Sequence, residues 1–164
     1  MNDIKSVYLA QAVDMRDDRA VEMTKKIKSA LLAMDLVTFD PSEAFQLKTS
    51  ILEEPDNTEQ GEYIFGVNLF AFLNAEMRVF VYTGAASWGL PIELYMAVKK
   101  HLSFVFLDFT KSGYAPVYLR EMLNLAGAVK VEESLDGSFL AKLVRGIDPQ
   151  ILSYLRIWAT PMEG

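Results

Sequence analysis

The sequence alternates between short apolar runs and longer segments whose apolar residues recur at helical spacing. The short runs are rich in β-branched and aromatic residues, a composition typical of strands. They cover residues 4–10, 36–40, 77–83, 103–109 and 128–134. Strands that alternate with helices form a parallel sheet covered by helices on both faces. We therefore predict a flavodoxin-like or Rossmann-like doubly wound α/β fold with about five mainly parallel strands.

The last part of the chain has a helical pattern that is interrupted twice. Gly146 and Pro149 break it, because glycine and proline disfavour the helix interior. We expect two helices, separated near these residues, to close the chain. Since the sequence has no internal repeat or low-complexity tract, residues 1–164 are predicted to form a single domain.

Composition excludes several classes of function. The chain has no cysteine and one histidine, so thiol chemistry and multi-histidine metal sites are excluded. Its net charge of −6 argues against a nucleic acid polymer as partner, since phosphate binding needs clustered basic residues. No run of about 20 apolar residues is present to cross a membrane, and the first residues do not resemble a signal peptide. We expect a cytoplasmic protein, and a small-molecule ligand stays open.

The loops at one edge of the predicted sheet are the expected ligand site. Ligands of open α/β sheets bind beyond the carboxyl ends of the strands, where loops 11–19, 83–89 and 108–114 would meet. Glu93 follows the second loop and stands among apolar residues. We expect it in the first turn of a helix, where the helix dipole favours an ionised carboxylate that can act as a nucleophile. The alternative is that Glu93 merely improves the charge distribution at that helix end.

Two segments of the sequence resemble the nucleoside 2-deoxyribosyltransferase superfamily, which includes the 2′-deoxynucleoside 5′-phosphate N-hydrolases. SVYLA, residues 6–10, is similar to the opening strand of the family, which ends in a tyrosine. Residues 74–109 are similar to its central signature, where an Ala-Asp-like pair precedes a strand and a loop leads into G-x-x-x-E-L-G-x-A. The corresponding residues here are GLPIELYMA, 89–97, with Tyr95 in place of the last glycine.

The resemblance implies a covalent mechanism. In this family a glutamate attacks the anomeric carbon of a 2-deoxyribosyl group and displaces the base, and water or another base then resolves the intermediate. Glu93 matches that glutamate, and Tyr8 matches the tyrosine that orients it. Ser87 matches a serine that binds the 5′-phosphate in N-hydrolases, where transferases have an aspartate for the sugar hydroxyl. The implied activity is that of a glycosidase of nucleotide metabolism, either a hydrolase or a transferase, acting on a 2′-deoxynucleoside or its 5′-monophosphate.

Asn68 departs from the family pattern. It occupies the approximate position of an aspartate that assists protonation of the leaving base. An amide can hydrogen-bond a base or sugar but is a poor proton donor, so we predict contact with base or sugar for Asn68. Asp14, Asp17 and Glu62 are the alternatives for the missing acid, and nothing in the sequence selects among them.

The first loop departs from the pattern as well. The N-hydrolases have serine and arginine there for phosphate, whereas this chain has Ala12 and Asp14, and Asp14 would repel a phosphate. Arg16 or Arg19 could bind the phosphate instead. We predict that the substrate site also includes Asp14 and, from the second loop, Gly89 and Trp88, whose indole could stack on a base.

The resemblance further implies that neither a metal nor an organic cofactor is needed. It implies a homo-oligomer, a dimer or larger, in which Ser112 or Asn124 of a neighbouring subunit could touch the ligand. Two other hypotheses stay open. Asn68 and the unusual first loop favour a non-catalytic nucleotide-binding or sensor module, and a flavodoxin-like protein could use Glu93 purely for structure.

Overall fold

The computed structural model describes residues 4–12, 18–43, 58–85, 87, 89–111, 116–131 and 139–161, with the backbone alone for residues 58–64. Its strands are β1 Ser6–Gln11, β2 Val37–Phe39, β3 Met77–Tyr82, β4 Phe104–Asp108, β5 Val129–Lys130 and β6 Arg156–Ala159. Its helices are α1 Asp18–Leu32, α2 Thr58–Asn74, α3 Gly89–Lys99, α4 Val117–Leu125, α5 Phe139–Arg145 and α6 Pro149–Leu152. No helix in these ranges is long and apolar enough to cross a membrane.

The sheet has six strands in the order β2-β1-β3-β4-β6-β5. β1 pairs in parallel with both β2 and β3, and β3 pairs in parallel with β4. The chain therefore builds outward from β1 in both directions, which is the doubly wound arrangement that the alternating pattern predicts. The predicted α/β fold with a mainly parallel sheet is confirmed. The carboxyl ends of β1 and β3 lie side by side at the point where the winding reverses.

The prediction that helices close the chain is wrong. Two helices are present, α5 and α6, and they separate between Arg145 and Pro149 as expected, but strand β6 follows them. β6 inserts antiparallel between β4 and β5, with Phe106 opposite Trp158. Its burial alternates along the strand, with Ile157 and Ala159 buried. Four residues are too few for that period to be distinguished from a helical pattern in the sequence.

Helices cover both faces of the sheet, as predicted. Because successive strand residues point to opposite faces, Val7 and Leu9 of β1 pack in one core with α1 and α5. Tyr8 and Ala10 pack in the other core with α2, α3 and α4. We call these sides the α1 face and the α3 face. Tyr8 therefore points towards the helix that carries Glu93.

Arg78 is a buried cation on the α3 face. Its side chain donates two hydrogen bonds of 2.8 Å, from Nε to the Phe72 carbonyl and from Nη2 to the Leu73 carbonyl. Carbonyls in the last turn of a helix lack intrahelical partners and favour a nearby cation. Burial lowers the pKa of Arg78 to about 10, so the guanidinium is still charged at neutral pH. The contact ties the end of α2 to β3 and fixes the position of Phe72.

Gly146 lies where the end of α5 meets α1. A Cβ added at Gly146 would lie 2.7 Å from the Ala30 Cβ, which is too close for two carbon atoms. We expect Gly146→Ala to lower the free energy of unfolding by about 2 kcal/mol, because well-packed elements must move apart. Urea denaturation measures the change.

The matched control for this substitution is Gly66→Ala. Gly66 lies inside α2, and an added Cβ would meet nothing within 4 Å. Alanine is a better helix former than glycine, so this variant should gain about 0.5–1 kcal/mol. A Gly146→Ala protein as stable as wild type would contradict the packing seen between α1 and α5.

Candidate functional site

Glu93 lies on the inward side of α3. The buried residues of this helix are Leu90, Leu94 and Ala97. Residues separated by three or four positions share one side of a helix, so Glu93 stands within the stripe that faces the sheet. Its side chain is half-buried. An ionisable group in such a stripe needs a polar partner, because burying an unpaired charge is costly.

The prediction that Glu93 lies in the first turn is wrong. α3 begins at Gly89, which makes Glu93 its fifth residue, and the first turn holds no acidic residue. Since the field of the helix dipole fades within the first turn, charge complementarity with the helix end does not explain this carboxylate. The alternative that Glu93 merely improves the charge distribution at the helix end therefore loses its basis.

Glu93 is hydrogen-bonded to Tyr8. The Tyr8 hydroxyl donates a hydrogen bond of 2.6 Å to Glu93 Oε1, joining residues 85 positions apart in the chain. The Tyr8 side chain is 0% exposed. Burial raises the pKa of the Tyr8 phenol, and the carboxylates of Glu93 and Asp40 raise it further. Tyr8 is therefore a neutral donor that holds one carboxylate oxygen in place.

Aromatic packing fixes the Tyr8 ring. Phe39 stacks on it with centroids 5.6 Å apart, and Phe72 meets it edge-on at 5.2 Å. Such contacts restrict the ring and so the direction of its hydroxyl. Phe72 is buried in the core, whereas Phe65 on the same helix is 64% exposed. α2 is apolar on all sides, so its spacing does not indicate which aromatic residue faces the sheet.

Asn68 lies one turn before Phe72 on α2, and therefore on the side of the helix that faces Tyr8. Its Oδ1 atom is shielded from solvent, and within the described ranges nothing donates a hydrogen bond to it. Buried amide oxygens normally have a donor. A free acceptor of this kind is suited to an N–H of a base or a hydroxyl of a sugar, the role predicted for Asn68.

Gln11 and Asp40, at the carboxyl ends of β1 and β2, were not predicted from the sequence as site residues. Gln11 Nε2 donates to Asp40 Oδ1 at 2.6 Å, and both side chains are buried. Gln11 Oε1 is a second shielded acceptor that receives no hydrogen bond from the described residues. A polar residue at the last position of an apolar strand was the available signal, since that position faces the ligand edge.

Ser87 has a local role in the structure. Its hydroxyl oxygen accepts a hydrogen bond of 3.3 Å from the Leu90 backbone amide, in the manner of a helix cap. The hydroxyl proton is not used in this bond, so the predicted contact with sugar or phosphate stays a prediction. Gly89 is the first residue of α3, and an added Cβ would lie 4.0 Å from Ser87 Oγ. Trp88 lies outside the described residues.

The first loop is largely outside the described residues, including Asp14, Arg16 and Asp17. Arg19 is described, and its Nη2 donates to the Phe109 carbonyl just after β4. The side chain of Glu62 and the whole of Ser112 are also outside the described residues, while Asn124 is exposed on α4. Within the described ranges, no three acidic or histidine side chains cluster as a metal site would require.

The alkaline stability of the protein should depend on Tyr8. In the unfolded chain a tyrosine loses its proton near pH 10, whereas in the fold burial and Glu93 raise the Tyr8 pKa above that value. The unfolded state therefore gains stability as the pH rises above 10. We expect this group to cost wild type up to about 1.4 kcal/mol of unfolding free energy per pH unit there, and Tyr8→Phe to lack that loss.

Urea titrations at pH 8 and pH 11 measure this difference. The raised pKa of Tyr82, which also comes from burial, is present in both proteins and cancels in the comparison. Tyr95→Phe removes an exposed phenol that does not contribute to the raised pKa of Tyr8 or of Tyr82, and it is the matched control for the loss of one phenol. If Tyr8→Phe and wild type lose stability in parallel above pH 10, the phenol does not titrate as the Tyr8–Glu93 contact requires.

No protein-family model matches the chain, and no curated protein matches it significantly. The resemblance to the deoxyribosyltransferase superfamily therefore rests on residues 6–10 and 74–109. What the structure adds is the contact between the tyrosine of the first segment and the glutamate of the second.

Proposed function

We propose that this protein cleaves the N-glycosidic bond of a 2′-deoxynucleoside or its 5′-monophosphate, with Glu93 as the nucleophile. The observation that carries the proposal is the 2.6 Å hydrogen bond from Tyr8 to Glu93. It pairs a half-buried carboxylate with a fixed neutral donor, which orients the carboxylate without neutralising it. An oriented carboxylate is suited to attack on an electrophilic carbon.

In the first displacement, a Glu93 carboxylate oxygen bonds to C1′ of the deoxyribosyl group. The C1′–N bond breaks, and the base departs with its electron pair and takes up a proton. The transition state has oxocarbenium character, as in retaining glycosidases. The 2-deoxy sugar lacks an electron-withdrawing hydroxyl, which makes this positive charge easier to form.

The leaving base needs a hydrogen-bonding partner and a proton. Asn68 supplies a contact through Oδ1, an acceptor with no donor among the residues that the structure describes, since an amide cannot serve as an efficient acid. The proton comes from solvent or from an acid such as Asp14, Asp17 or Glu62. Because the proton does not come from Asn68, we expect faster cleavage at mildly acidic pH, where more of the base is protonated in solution.

In the second displacement, an acceptor attacks C1′ and the bond from C1′ to the Glu93 oxygen breaks. Water as acceptor yields deoxyribose or its 5′-phosphate and restores the carboxylate. A second free base as acceptor yields a new nucleoside. No electron-transfer step occurs, so the proposal invokes no redox cofactor.

We further propose a cytoplasmic homo-oligomer, in which subunits complete one another's sites. Large apolar side chains are exposed on the helices of the α3 face, among them Phe70 at 71%, Ile92 at 55% and Leu125 at 77%. Exposed apolar surface of this extent supports a subunit interface.

The test is to incubate the protein with a panel of deoxynucleosides and their 5′-monophosphates, with and without a second free base. Chromatography separates released base from exchanged nucleoside and so distinguishes hydrolysis from transfer. Ribonucleosides are the matched control, because their 2′-hydroxyl disfavours the oxocarbenium-like state. If no deoxynucleoside or monophosphate releases its base, the proposed activity is wrong.

A non-catalytic nucleotide-binding or sensor module is the second candidate, favoured by Asn68 in place of an acid. The same polar groups could hold an intact nucleotide, with Glu93 accepting a hydrogen bond from the sugar. Calorimetry distinguishes the two functions: tight binding of an intact deoxynucleotide without any turnover would favour the sensor. A protein that binds no nucleotide and tolerates Glu93→Gln would instead favour a structural glutamate.

A further inference from the structure

A cluster of buried polar side chains fixes the end of β2. Asp40 directly follows this strand, and its Oδ1 atom accepts three hydrogen bonds. Gln11 Nε2 donates at 2.6 Å, the Ser42 backbone amide at 2.9 Å and the Ser42 hydroxyl at 2.7 Å. All three residues are at most 8% exposed. We call Gln11, Asp40 and Ser42 the Asp40 cluster.

β2 depends on such a cluster because it is a short edge strand. It has three residues, lies at one end of the strand order and pairs there with β1. The last pair of this ladder joins Tyr8 and Phe39. An edge strand has ladder hydrogen bonds on one side only, and the ends of such elements open easily. The bond from Gln11 to Asp40 ties the two strands together beyond their last pair.

Phe39 is the residue whose position depends on the end of β2. It directly precedes Asp40, and because successive strand residues point to opposite faces, its ring lies on the α3 face. There it stacks on Tyr8, with ring centroids 5.6 Å apart and ring planes 14° from parallel. Tyr8 in turn donates its hydrogen bond of 2.6 Å to Glu93 Oε1. A displacement of the end of β2 therefore reaches the carboxylate through two contacts.

The two aromatic contacts of the Tyr8 ring have separate anchors. Phe72 meets the ring edge-on, and Arg78 ties the helix that carries Phe72 to β3. The contact from β2 is anchored by the Asp40 cluster. This second anchor also reaches α1, since Lys28 Nζ lies 3.5 Å from Asp40 Oδ2. Loss of either anchor should therefore loosen the Tyr8 ring.

We propose that Asp40 is a positioning residue for the nucleophile: it fixes the end of β2 and so holds Phe39 against Tyr8. The inference rests on the proposed function for the reaction that is affected, whereas the hold on Tyr8 follows from the contacts alone. Asp40 acts through the hydrogen bonds to its Oδ1 atom. A reacting group that is displaced by about 1 Å can lose about 10²-fold in rate, so the direction of Glu93 matters for attack on C1′.

Base release by two variants of Asp40 tests the positioning. Asp40→Ala removes the acceptor of all three hydrogen bonds, so we expect kcat for a deoxynucleotide to fall about 30-fold while KM changes less than about twofold. Asp40→Asn keeps an Oδ1 acceptor and should restore kcat to within about threefold of wild type. Of the causes that raise the Tyr8 pKa, the charge of Asp40 is the smallest, so the phenol should stay neutral in both variants.

Asp148→Ala is the matched control. Asp148 Oδ1 also accepts a hydrogen bond from the backbone amide two residues later, at 2.8 Å, but it does so at the start of α6. The variant therefore loses the same charge and the same kind of turn contact. Its kcat should stay within about twofold of wild type, because distant sites act independently.

Nuclear magnetic resonance follows the position of Tyr8 independently of activity. Isotopic labelling of tyrosine at Cζ gives one resonance for each of the seven tyrosines, and Tyr8→Phe identifies the resonance of Tyr8. The Cζ shift depends on the hydrogen bond of the attached hydroxyl. Asp40→Ala should therefore move or broaden the Tyr8 resonance, and Phe39→Leu, which removes the stacked ring, should do the same. Asp148→Ala should leave it in place.

A double substitution tests whether Asp40 acts through Phe39. The two single substitutions break the same chain of contacts, so the combination of Asp40→Ala with Phe39→Leu should lower kcat no more than about twofold beyond the larger single loss. If the two losses multiply instead, Asp40 acts by another route and the proposal is wrong. An unmoved Tyr8 resonance in Asp40→Ala would also overturn it, as would an equal loss of kcat in Asp40→Asn and Asp40→Ala.

Ser42→Ala is the second variant in case Asp40→Ala does not fold, which urea denaturation checks. It removes one of the three donors, so kcat should fall about threefold, with a smaller movement of the Tyr8 resonance. A Ser42→Ala protein with the wild-type kcat and an unmoved resonance would contradict the proposal. A resonance that moves in the Asp40 or Ser42 variant of a protein that releases no base would support the hold on Tyr8 while refuting the proposed activity.

Discussion

Replacement of Glu93 by glutamine should reduce base release from a deoxynucleotide by about 10⁴-fold or more, and Glu93→Ala should abolish it. Glutamine keeps the size of the side chain and can still accept the hydrogen bond from Tyr8. It cannot form the bond to C1′ as a carboxylate does. The loss should therefore appear in kcat, whereas the affinity for substrate changes little. Chromatographic measurement of free base under single-turnover and steady-state conditions gives both values.

Glu121→Gln is the matched control for this experiment. Glu121 is exposed on α4, so the substitution changes the net charge by the same amount without touching the Tyr8–Glu93 pair. Acid quenching of wild type during turnover should leave a deoxyribosyl group on the peptide that contains Glu93, detectable by mass spectrometry. Base release by Glu93→Gln at the wild-type rate would refute the nucleophile assignment.

Replacement of Arg78 by methionine should lower the free energy of unfolding by about 3 kcal/mol. The substitution keeps an unbranched side chain but leaves the Phe72 and Leu73 carbonyls without their donor. It also removes a guanidinium that lies 5.5 Å from the centre of the Phe72 ring. Burial of this cation is itself unfavourable, as its lowered pKa shows, and that cost limits the net loss. Urea denaturation at neutral pH measures the change.

Arg120→Met controls for the loss of one positive charge, because Arg120 is exposed on α4, and its effect should stay within about 0.5 kcal/mol. Arg78→Met should also slow base release, since Phe72 fixes the ring of Tyr8 and Arg78 fixes the end of α2. An Arg78→Met protein with wild-type stability would show that the end of α2 does not depend on this contact.

The local pattern of the sequence was sufficient to predict the class of fold. Strand and helix periods are properties of neighbouring residues, so strands β1 to β4 were expected close to their observed positions. β6 was missed because four residues carry little periodicity and because its pairing partner, β4, precedes it by nearly 50 residues in the chain. The existence of that strand depends on the free edge of β4, which is a property of the assembled sheet.

In the candidate site, too, some features could be predicted from the sequence and others depend on the assembled fold. Glu93 could be singled out because a carboxylate among apolar residues is unusual, and Tyr8 was linked to it by resemblance. The sequence placed Glu93 in the first turn of α3, whereas it is the fifth residue of that helix, since helix ends depend on caps such as Ser87 that are hard to locate from sequence. The direction of the Tyr8 hydroxyl follows from its packing between Phe39 and Phe72, which come from different elements.

By itself, the sequence determined the alternation of strands and helices, the exclusion of thiol and multi-histidine chemistry, and one carboxylate to examine. The tertiary structure alone decided that β6 pairs between β4 and β5, that Arg78 donates to carbonyls in the last turn of α2, and that Gln11 and Asn68 hold acceptors with no donor among the described residues. The physical reason is that the side-chain period is set by local backbone geometry. Contacts between residues that are distant in the chain depend instead on the order of the strands and on the loops that join them, and both are set by the packing of the whole sheet.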